Sequence, residues 1–575
     1  MKVTKNNFDI LFLGIVIFSI ISSMIFIENP KIFLSIIVVT FTILHFLFFH
    51  KHKLEIEDSK FIQNFLNLFN HMKKKKFLNY FLLFLILFSI FATQFAYLEY
   101  ETIDWDVNTY LVVSNDIING NLPYENEWDD KGPFLYLTYS LFNYLSSGSL
   151  VLFKALNNFL FLVVVVNQYL SIYLFSNYKS HSKSIFGSLL FILSMAAPWG
   201  TVEYSELIGL FYLSISILFL NLQNKKLVYL SGIFFGIATL VNQGIVVFSI
   251  PLIYQLIKKE NPKRSIIRFL ISFLTIQVFM MILYFVNGLI KTYFVTLLIV
   301  PLSYVASEVS LYTLLKELWV FSKSILDFNV FVFVTFIFIS TILFLSFSKK
   351  TFWFDERKLF SNTAINLFVL SSLLFYVLGS TGYYHHLIFS LYFICLSVSL
   401  IQNFKSEIIF TTFVLISLFT TLPKTINNSI ENFNSLNSIQ ENYPLYQLSQ
   451  EIDSYFEDDY SLISLDHQLI NFYLKKPNSA YVIHSTNYKE YSIINNLERF
   501  DLMEEKLISF IIESEPDVVI CSSLTKTYID EISCEMTEFN NKYISLNTEQ
   551  YFNDNLRTYY GDPFREIYVY IKVTE

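Results

Sequence analysis

The chain has 575 residues, 54% of them hydrophobic and only 15% charged, including 63 phenylalanines. That is too apolar for a water-soluble protein and fits a polytopic membrane protein. The formal net charge of −8 and the lack of a basic stripe interleaved with aromatics argue against nucleic-acid binding.

Requiring roughly 20 apolar residues per crossing, about 13 spans are expected: near 8–28, 32–50, 78–98, 150–176, 185–199, 204–222, 227–241, 244–257, 266–287, 329–347, 361–379, 384–401 and 406–422. Those at 185–199 and 227–257 are short, which suits broken or re-entrant helices. The first is too long, and lacks a small-residue cleavage site, for a removed signal peptide; it reads as a retained anchor. Lysines fall in alternate loops: Lys51, Lys53, Lys60 and Lys73 to Lys76, then Lys179 with Lys183, Lys225 with Lys226, Lys258 through Arg268, and Lys349 with Lys350, Arg357 and Lys358. The positive-inside rule makes that side cytoplasmic. The loops at 99–149, 288–310 and 380–386 and the tail are then expected outside.

The loop at 99–149 carries nine acids (Glu99, Glu101, Asp104, Asp106, Asp116, Glu125, Glu127, Asp129, Asp130) and one base, Lys131. A solvated acidic loop would account for the composition alone. A lone lysine among carboxylates at a membrane surface also suits chemistry on a phosphate-linked lipid, an acid activating the acceptor while the cation holds phosphate. Such a loop leaves a divalent cation open as cofactor through hard oxygens, but the spacing defines no ligand set, and none is assigned. In the span at 227–241, Gly232 and Gly236 are spaced for close helix packing, and Asn242 and Gln243 are costly in a membrane unless they face a cavity.

After about Pro423 the composition turns polar. Apolar runs shorten to strand length at 460–465, 517–521 and 567–571, and a helical pattern at 502–515 stops at Pro516. Strands alternating with helices predict a small α/β domain with a partly parallel sheet. No glycine-rich phosphate loop opens any of its helices. Cys521 and Cys534 suit a disulfide if this tail lies outside, and free thiols otherwise.

Several motifs, in this order, resemble the GT-C membrane glycosyltransferases, and most closely the bacterial branch of lipid A aminoarabinose transferase and the protein mannosyltransferases. Asp106-Val107-Asn108-Thr109-Tyr110 is followed by Asn119-Gly120-Asn121-Leu122-Pro123-Tyr124 and by Asp130-Lys131-Gly132-Pro133; then come PWGTVEYSEL from Pro198, LSGIFFGIATLVNQ from Leu230 and GYYHH from Gly382. Asn242 stands where the family often has Lys, and Leu387 follows His386 without the usual Pro. The resemblance covers about 100–425 plus a soluble tail. It implies a GT-C-like fold with residues 1–77 as two added helices and a basic loop, 78–424 as the catalytic core, and 425–575 as an extracytoplasmic α/β domain.

It also implies an inverting transfer of a sugar from a polyprenyl-phosphate donor to an envelope glycan, lipid or protein acceptor, at the outer side of the cytoplasmic membrane. Asp106 matches the catalytic carboxylate, with Asp104 as the fallback. Lys131 matches the phosphate-contacting lysine, with His386 or His385 as further phosphate ligands and Lys291 as a second cation. Glu206, with Glu203 competing, and Tyr110 are expected at the substrate. A transporter or flippase of lipid-linked sugars is the competing reading; it would place ionisable groups near the bilayer midplane in matching halves, whereas here they cluster at one face.

Overall fold

The computed structural model describes residues 76–176, 181–222, 224–306, 311–333, 363–379, 383–401, 404–457, 459–484, 487, 491–502, 514–522, 542–551, 556–558 and 567–573. The two expected N-terminal spans, most of the span at 329–347 and the helix at 502–515 lie outside these residues.

Apolar runs with no polar periodicity fold as packed helices. The first, α1 (Lys76–Gln94), leads to a short strand, β1 (Glu101–Ile103). The acidic loop then forms two helices, α2 (Trp105–Ile118) and α3 (Pro133–Ser146), lying against each other. Each has a physical start signal: Asp104 caps α2, and Pro133 opens α3 with its missing N–H at a position that needs none. Gly120, at φ +106°, turns the chain out of α2 where a side chain would be strained.

The helical body follows as α4 (Leu150–Phe175), α5 (His181–Ser194), α6 (Ser205–Asn221), α7 (Leu227–Val241), α8 (Ser249–Ile257) and α9 (Pro262–Val286). Among the described residues, α4 and α9 are long and apolar enough to cross a membrane, and several other apolar helices are shorter. Helix α7 packs between α6 and α9. Its glycine face permits this: a Cβ on Gly232 would lie 2.4 Å from the Phe269 carbonyl oxygen and 2.1 Å from Ser272 Oγ.

Within the segment expected as an outer loop at 288–310, residues 290–306 are helical, with α10 (Ile290–Phe294), a π-turn (Val295–Ile299) and α11 (Val300–Ala306). Its aromatic Tyr293 packs on Tyr284, ring centres 4.7 Å apart, so burial orders a stretch too short to span. Helix α12 (Leu311–Phe328) was not expected either, because Lys316, Glu317 and Lys323 break up its apolar residues. It is followed by α13 (Thr363–Leu378), α14 (Ile388–Ile401) and α15 (Phe404–Asn434). The last runs beyond its expected end at 422 and carries Pro423 inside it. Polar anchors beyond the proline offset the lost hydrogen bond: Ser429 Oγ donates to the Ala92 carbonyl at 3.0 Å and Asn432 Nδ2 to the Phe95 carbonyl at 2.9 Å.

The C-terminal region comprises α16 (Pro444–Asp453), β2 (Leu462–Ser464), α17 (Leu469–Leu474), α18 (Tyr491–Arg499), β3 (Val518–Cys521), β4 (Tyr543–Leu546), β5 (Leu556–Thr558) and β6 (Tyr568–Lys572). Four strands form a sheet in the order β2-β3-β6-β4. β2 and β3 are parallel, with Leu462 opposite Val518, and the other pairs are antiparallel, so the sheet is partly parallel. Cys521 is disulfide-bonded and, among the described residues, Cys395 is a free thiol; Cys534, the other cysteine of this tail, lies outside the described residues.

This region is stitched onto the first acidic loop. β1 pairs in parallel with β5, Glu101 opposite Leu556. Trp128 adds a strand-like contact, its N–H donating to the Tyr481 carbonyl at 2.6 Å and its carbonyl accepting from the Ile483 N–H at 3.1 Å. Those bonds set the C-terminal region directly over the site.

Candidate active site

The first turn of α2 sends its two aspartates in different directions. Asp104 is committed to structure: Oδ1 accepts the Asp106 N–H at 3.0 Å and Oδ2 accepts the Tyr204 hydroxyl at 2.7 Å. Burial, and next the charge of Asp106, push its carboxyl up to about 6. Asp106 instead faces a cavity of about 640 Å³ and keeps 24% of its side chain exposed. Its Oδ1 lies 2.7 Å from Nε2 of His484, and the Tyr110 hydroxyl reaches its Oδ2 at 3.4 Å. Burial by itself would raise the Asp106 carboxyl. The hydrogen bond and charge of His484, followed by Lys131 and His385, hold it well below the usual carboxylate range. Burial likewise opposes the charged form of His484, yet Asp106, Asp129 and Asp130 raise it above the usual imidazole value. The contact thus favours a carboxylate beside an imidazolium.

The Asp129-Asp130-Lys131-Gly132 turn lies across the end of α7. The Gly132 N–H donates to the Val241 carbonyl at 3.2 Å, and a Cβ on Gly132 would fall 2.1 Å from the Leu240 carbonyl oxygen. Only glycine allows that approach, and the approach points Lys131 into the cavity. Lys131 Nζ pairs with Asp130 Oδ1 at 2.8 Å. Its backbone is held twice: Tyr124 donates to its carbonyl, and its N–H donates to the Tyr136 hydroxyl at 3.2 Å. Tyr136 in turn donates to Asp129 Oδ2 at 2.7 Å, while Asn487 Nδ2 donates to Asp129 Oδ1 at 3.2 Å. Burial, then the charge of Asp130, push Asp129 up to about 6.

Across the cavity, Glu206 lies in the first turn of α6. Its Oε1 accepts from Asn242 Nδ2 at 3.1 Å and its Oε2 from Ser205 Oγ at 3.1 Å. His385 and His386 come from the 3-10 turn Tyr384–Leu387. His386 Nε2 is 3.7 Å from Glu206 Oε1, and ligand-capable atoms of all three side chains lie within 4.8 Å of one another. These are the residues that could hold a metal among those described. The remaining wall is apolar and includes Val246, Phe273, Met281, Leu297, Leu302 and Phe375.

Of the residues expected from sequence, Asp106, Lys131, Glu206, His385, His386, Asn242 and Gln243 all line this one cavity. Asp104, Glu203 and Tyr110 do not. Tyr110 is fully buried, and its hydroxyl backs Asp106 at 3.4 Å. Glu203, also expected at the substrate, is buried with its carboxyl pushed up to about 7 by burial, the charge of Lys154 opposing. Lys291, the expected second cation, pairs with Asp501 at 3.5 Å on the surface. Two site residues escaped the sequence reading altogether. His484 and Asn487 belong to the C-terminal region and line the cavity. His484 follows an apolar run, Tyr481-Val482-Ile483, and nothing local ties it to an aspartate 378 positions earlier.

No family model matches the chain, and no curated protein is detectably similar to it in sequence. Among solved structures, the chain is similar to the crystal structure of ArnT from Cupriavidus metallidurans bound to undecaprenyl phosphate. The two are 11% identical, the match covers 86% of this chain and 97% of that one, and the TM-score is 0.57. The apo form of the same protein is also similar, at 12% identity, with the same shares of each chain covered and a TM-score of 0.40. The neighbour is a GT-C glycosyltransferase, and this chain has its polytopic membrane fold.

Proposed function

We propose that the chain is an inverting glycosyltransferase that moves a sugar from a polyprenyl-phosphate donor to an envelope glycan, lipid or protein acceptor outside the cytoplasmic membrane. The observation that carries this is one cavity holding the Asp106 carboxylate and the Lys131 ammonium at its polar end and an apolar wall beyond. An amphiphile with a phosphate head fits such a cavity, and the neighbour of the same fold was crystallised with undecaprenyl phosphate.

In the reaction the acceptor hydroxyl attacks the anomeric carbon. The bond from that carbon to the phosphate oxygen breaks, and the polyprenyl phosphate leaves with the electron pair. Asp106 takes the hydroxyl proton. Its depressed pKa suits a late transfer, because the acceptor oxygen becomes strongly acidic as its bond to carbon forms. Lys131 neutralises charge building on the leaving phosphate. Glu206, held by Asn242 and Ser205, orients the sugar or acceptor, and His385 and His386 add to the phosphate end. Asp104 sets the direction of Asp106 through the helix cap. Residues 78–424 act as the core and 425–575 as an outer domain that closes over it.

The test is transfer from labelled polyprenyl-phosphate sugars to cell-envelope glycans by the purified protein, compared with Asp106→Asn. The substitution keeps the volume and removes the proton acceptor, so turnover should fall on the order of 10²–10⁴-fold with donor still bound. Undiminished transfer by Asp106→Asn would sink the base assignment. Absence of transfer from every such donor by the wild type would sink the class.

A further inference from the structure

We infer that Glu206, His385 and His386 bind a divalent transition ion of the zinc class, and that this ion, rather than the imidazoles alone, meets the phosphate of the donor. The second half rests on the glycosyltransferase reading; the first does not.

Geometry comes first. His386 Nε2 stands 3.7 Å from Glu206 Oε1. That is too long for a hydrogen bond. Two ligands of a tetrahedral zinc, each about 2.0–2.1 Å from the metal, sit about 3.4 Å apart. The three side chains keep their ligand atoms within 4.8 Å, so small side-chain rotations bring them onto one ion. Two imidazoles and one carboxylate with an open side toward a cavity form the donor set of a zinc site that keeps a position for substrate. The chemistry favours this class over calcium or magnesium, which take oxygen ligands.

The surroundings are built for it. Glu206 is 1% exposed, and both of its oxygens are oriented, by Asn242 and Ser205. His385 stacks with Tyr204 and with Tyr383, ring centres 4.4 and 5.5 Å away. Gly379 backs directly onto the His386 ring, where a Cβ would come within 2.6 Å of Nδ1. The buried Nδ1 atoms of both histidines have no hydrogen-bond partner. The rings are thus fixed by packing rather than by hydrogen bonds at Nδ1, with His386 Nε2 on the Glu206 side and the buried Nδ1 of His385 lacking a partner that an ion would supply.

Charge points the same way. The cavity presents carboxylates from Asp106, Asp130 and Glu206; Lys131 is paired with Asp130 and the His484 imidazolium with Asp106, which leaves the Glu206 charge to be met. The phosphodiester of an incoming donor adds one negative charge, and the phosphate monoester that leaves carries up to two. Asn242, the position where related sequences often carry lysine, supplies no charge and instead holds Glu206. A divalent ion held by Glu206, His385 and His386 restores that balance on the cavity wall where the two histidines stand.

The experiment uses the full chain, purified without a polyhistidine tag, stripped with chelator and titrated with Co²⁺. One equivalent should give the visible d–d bands of a four- or five-coordinate ion, and Zn²⁺ should displace it. His386→Ala and Glu206→Gln should each abolish the bands, and Asn242→Ala should weaken Co²⁺ binding about 10–100-fold, as loss of an outer-shell partner does. Asp106→Asn should keep the bands even though transfer is lost, which separates this proposal from the base assignment. Wild type without saturable bands overturns the metal site, and that result needs no variant to fold. Bands untouched in both His386→Ala and Glu206→Gln overturn it equally. Farnesyl phosphate should then shift the bands of the Co²⁺-loaded protein at lower concentration than inorganic phosphate does. If farnesyl phosphate raises the unfolding temperature but leaves the bands unchanged, the phosphate does not sit on the metal, and that half fails.

Discussion

Replacing Glu127 with Gln isolates how the acidic loop is held under the C-terminal region. Glu127 is 1% exposed; Oε1 accepts the Asn478 N–H at 2.8 Å, and Oε2 has no hydrogen-bond partner. Burial pushes its carboxyl from the ordinary 4.5 up to about 8, the Asn478 N–H pulling down and Asp116 adding to the rise. The folded-state pKa lies above the unfolded one. Between those values the folded protein binds the extra proton, so stability falls as pH rises through that window. At about 1.4 kcal/mol per unit, the loss reaches about 3 kcal/mol at pH 7 and about 5 kcal/mol at pH 8 as an upper bound. Glu127→Gln keeps the shape and the acceptor for Asn478 but cannot ionise. Its second amide proton costs about 1–3 kcal/mol if unsatisfied, but that cost does not depend on pH. Unfolding temperatures of the two proteins in detergent, from about pH 5 to pH 8, should therefore diverge, the wild type falling more steeply. Parallel curves would refute the argument, because they would mean that Glu127 is already ionised in the folded protein.

Three further outcomes follow from the site. Lys131→Ala should raise the donor KM at least about tenfold while affecting the acceptor KM less, and Lys131→Arg should recover only part, since a planar fork does not replace a compact ammonium; unchanged donor kinetics would leave the lysine as an interfacial anchor. His484→Gln should lift the Asp106 pKa, so the acid limb of the transfer rate moves to higher pH. In the wild type, the contribution of His484 is present below about pH 6.5 and fades as pH rises through its raised value, while that of Asp106 is present above about pH 4 and fades as pH falls. A pH–rate profile unchanged by His484→Gln would show that the histidine does not tune the base. Gly132→Ala meets the Leu240 backbone rather than a yielding side chain, so overpacking should cost at least about 1–3 kcal/mol and displace Lys131; thermal unfolding and donor binding would report both, and a fully active, fully stable variant would contradict the close approach.

The sequence by itself determined the class of the molecule and most of one site wall. Composition fixed membrane character, because so much apolar surface has nowhere to go in water. The motif order marked Asp106, Lys131, Glu206, His385 and His386, which the fold brings to one cavity. It also foresaw a partly parallel sheet from three strand-length runs, although the fourth strand, Tyr543–Leu546, went unread because its exposed positions break the apolar run. Burial and long-range pairing were decided only in three dimensions. Asp104 and Asp106 read alike in sequence, yet a helix cap and the Tyr204 hydroxyl consume one and leave the other facing the cavity. Glu203 and Glu206 part in the same way: Glu203 precedes α6 and is buried away from the cavity, whereas Glu206, in the first turn of α6, lines it. His484 reaches Asp106 across 378 positions because Trp128 pairs with the chain on either side of Val482. No local pattern encodes such a contact, since it depends on where two distant backbones are forced to meet in order to satisfy their buried N–H and C=O groups.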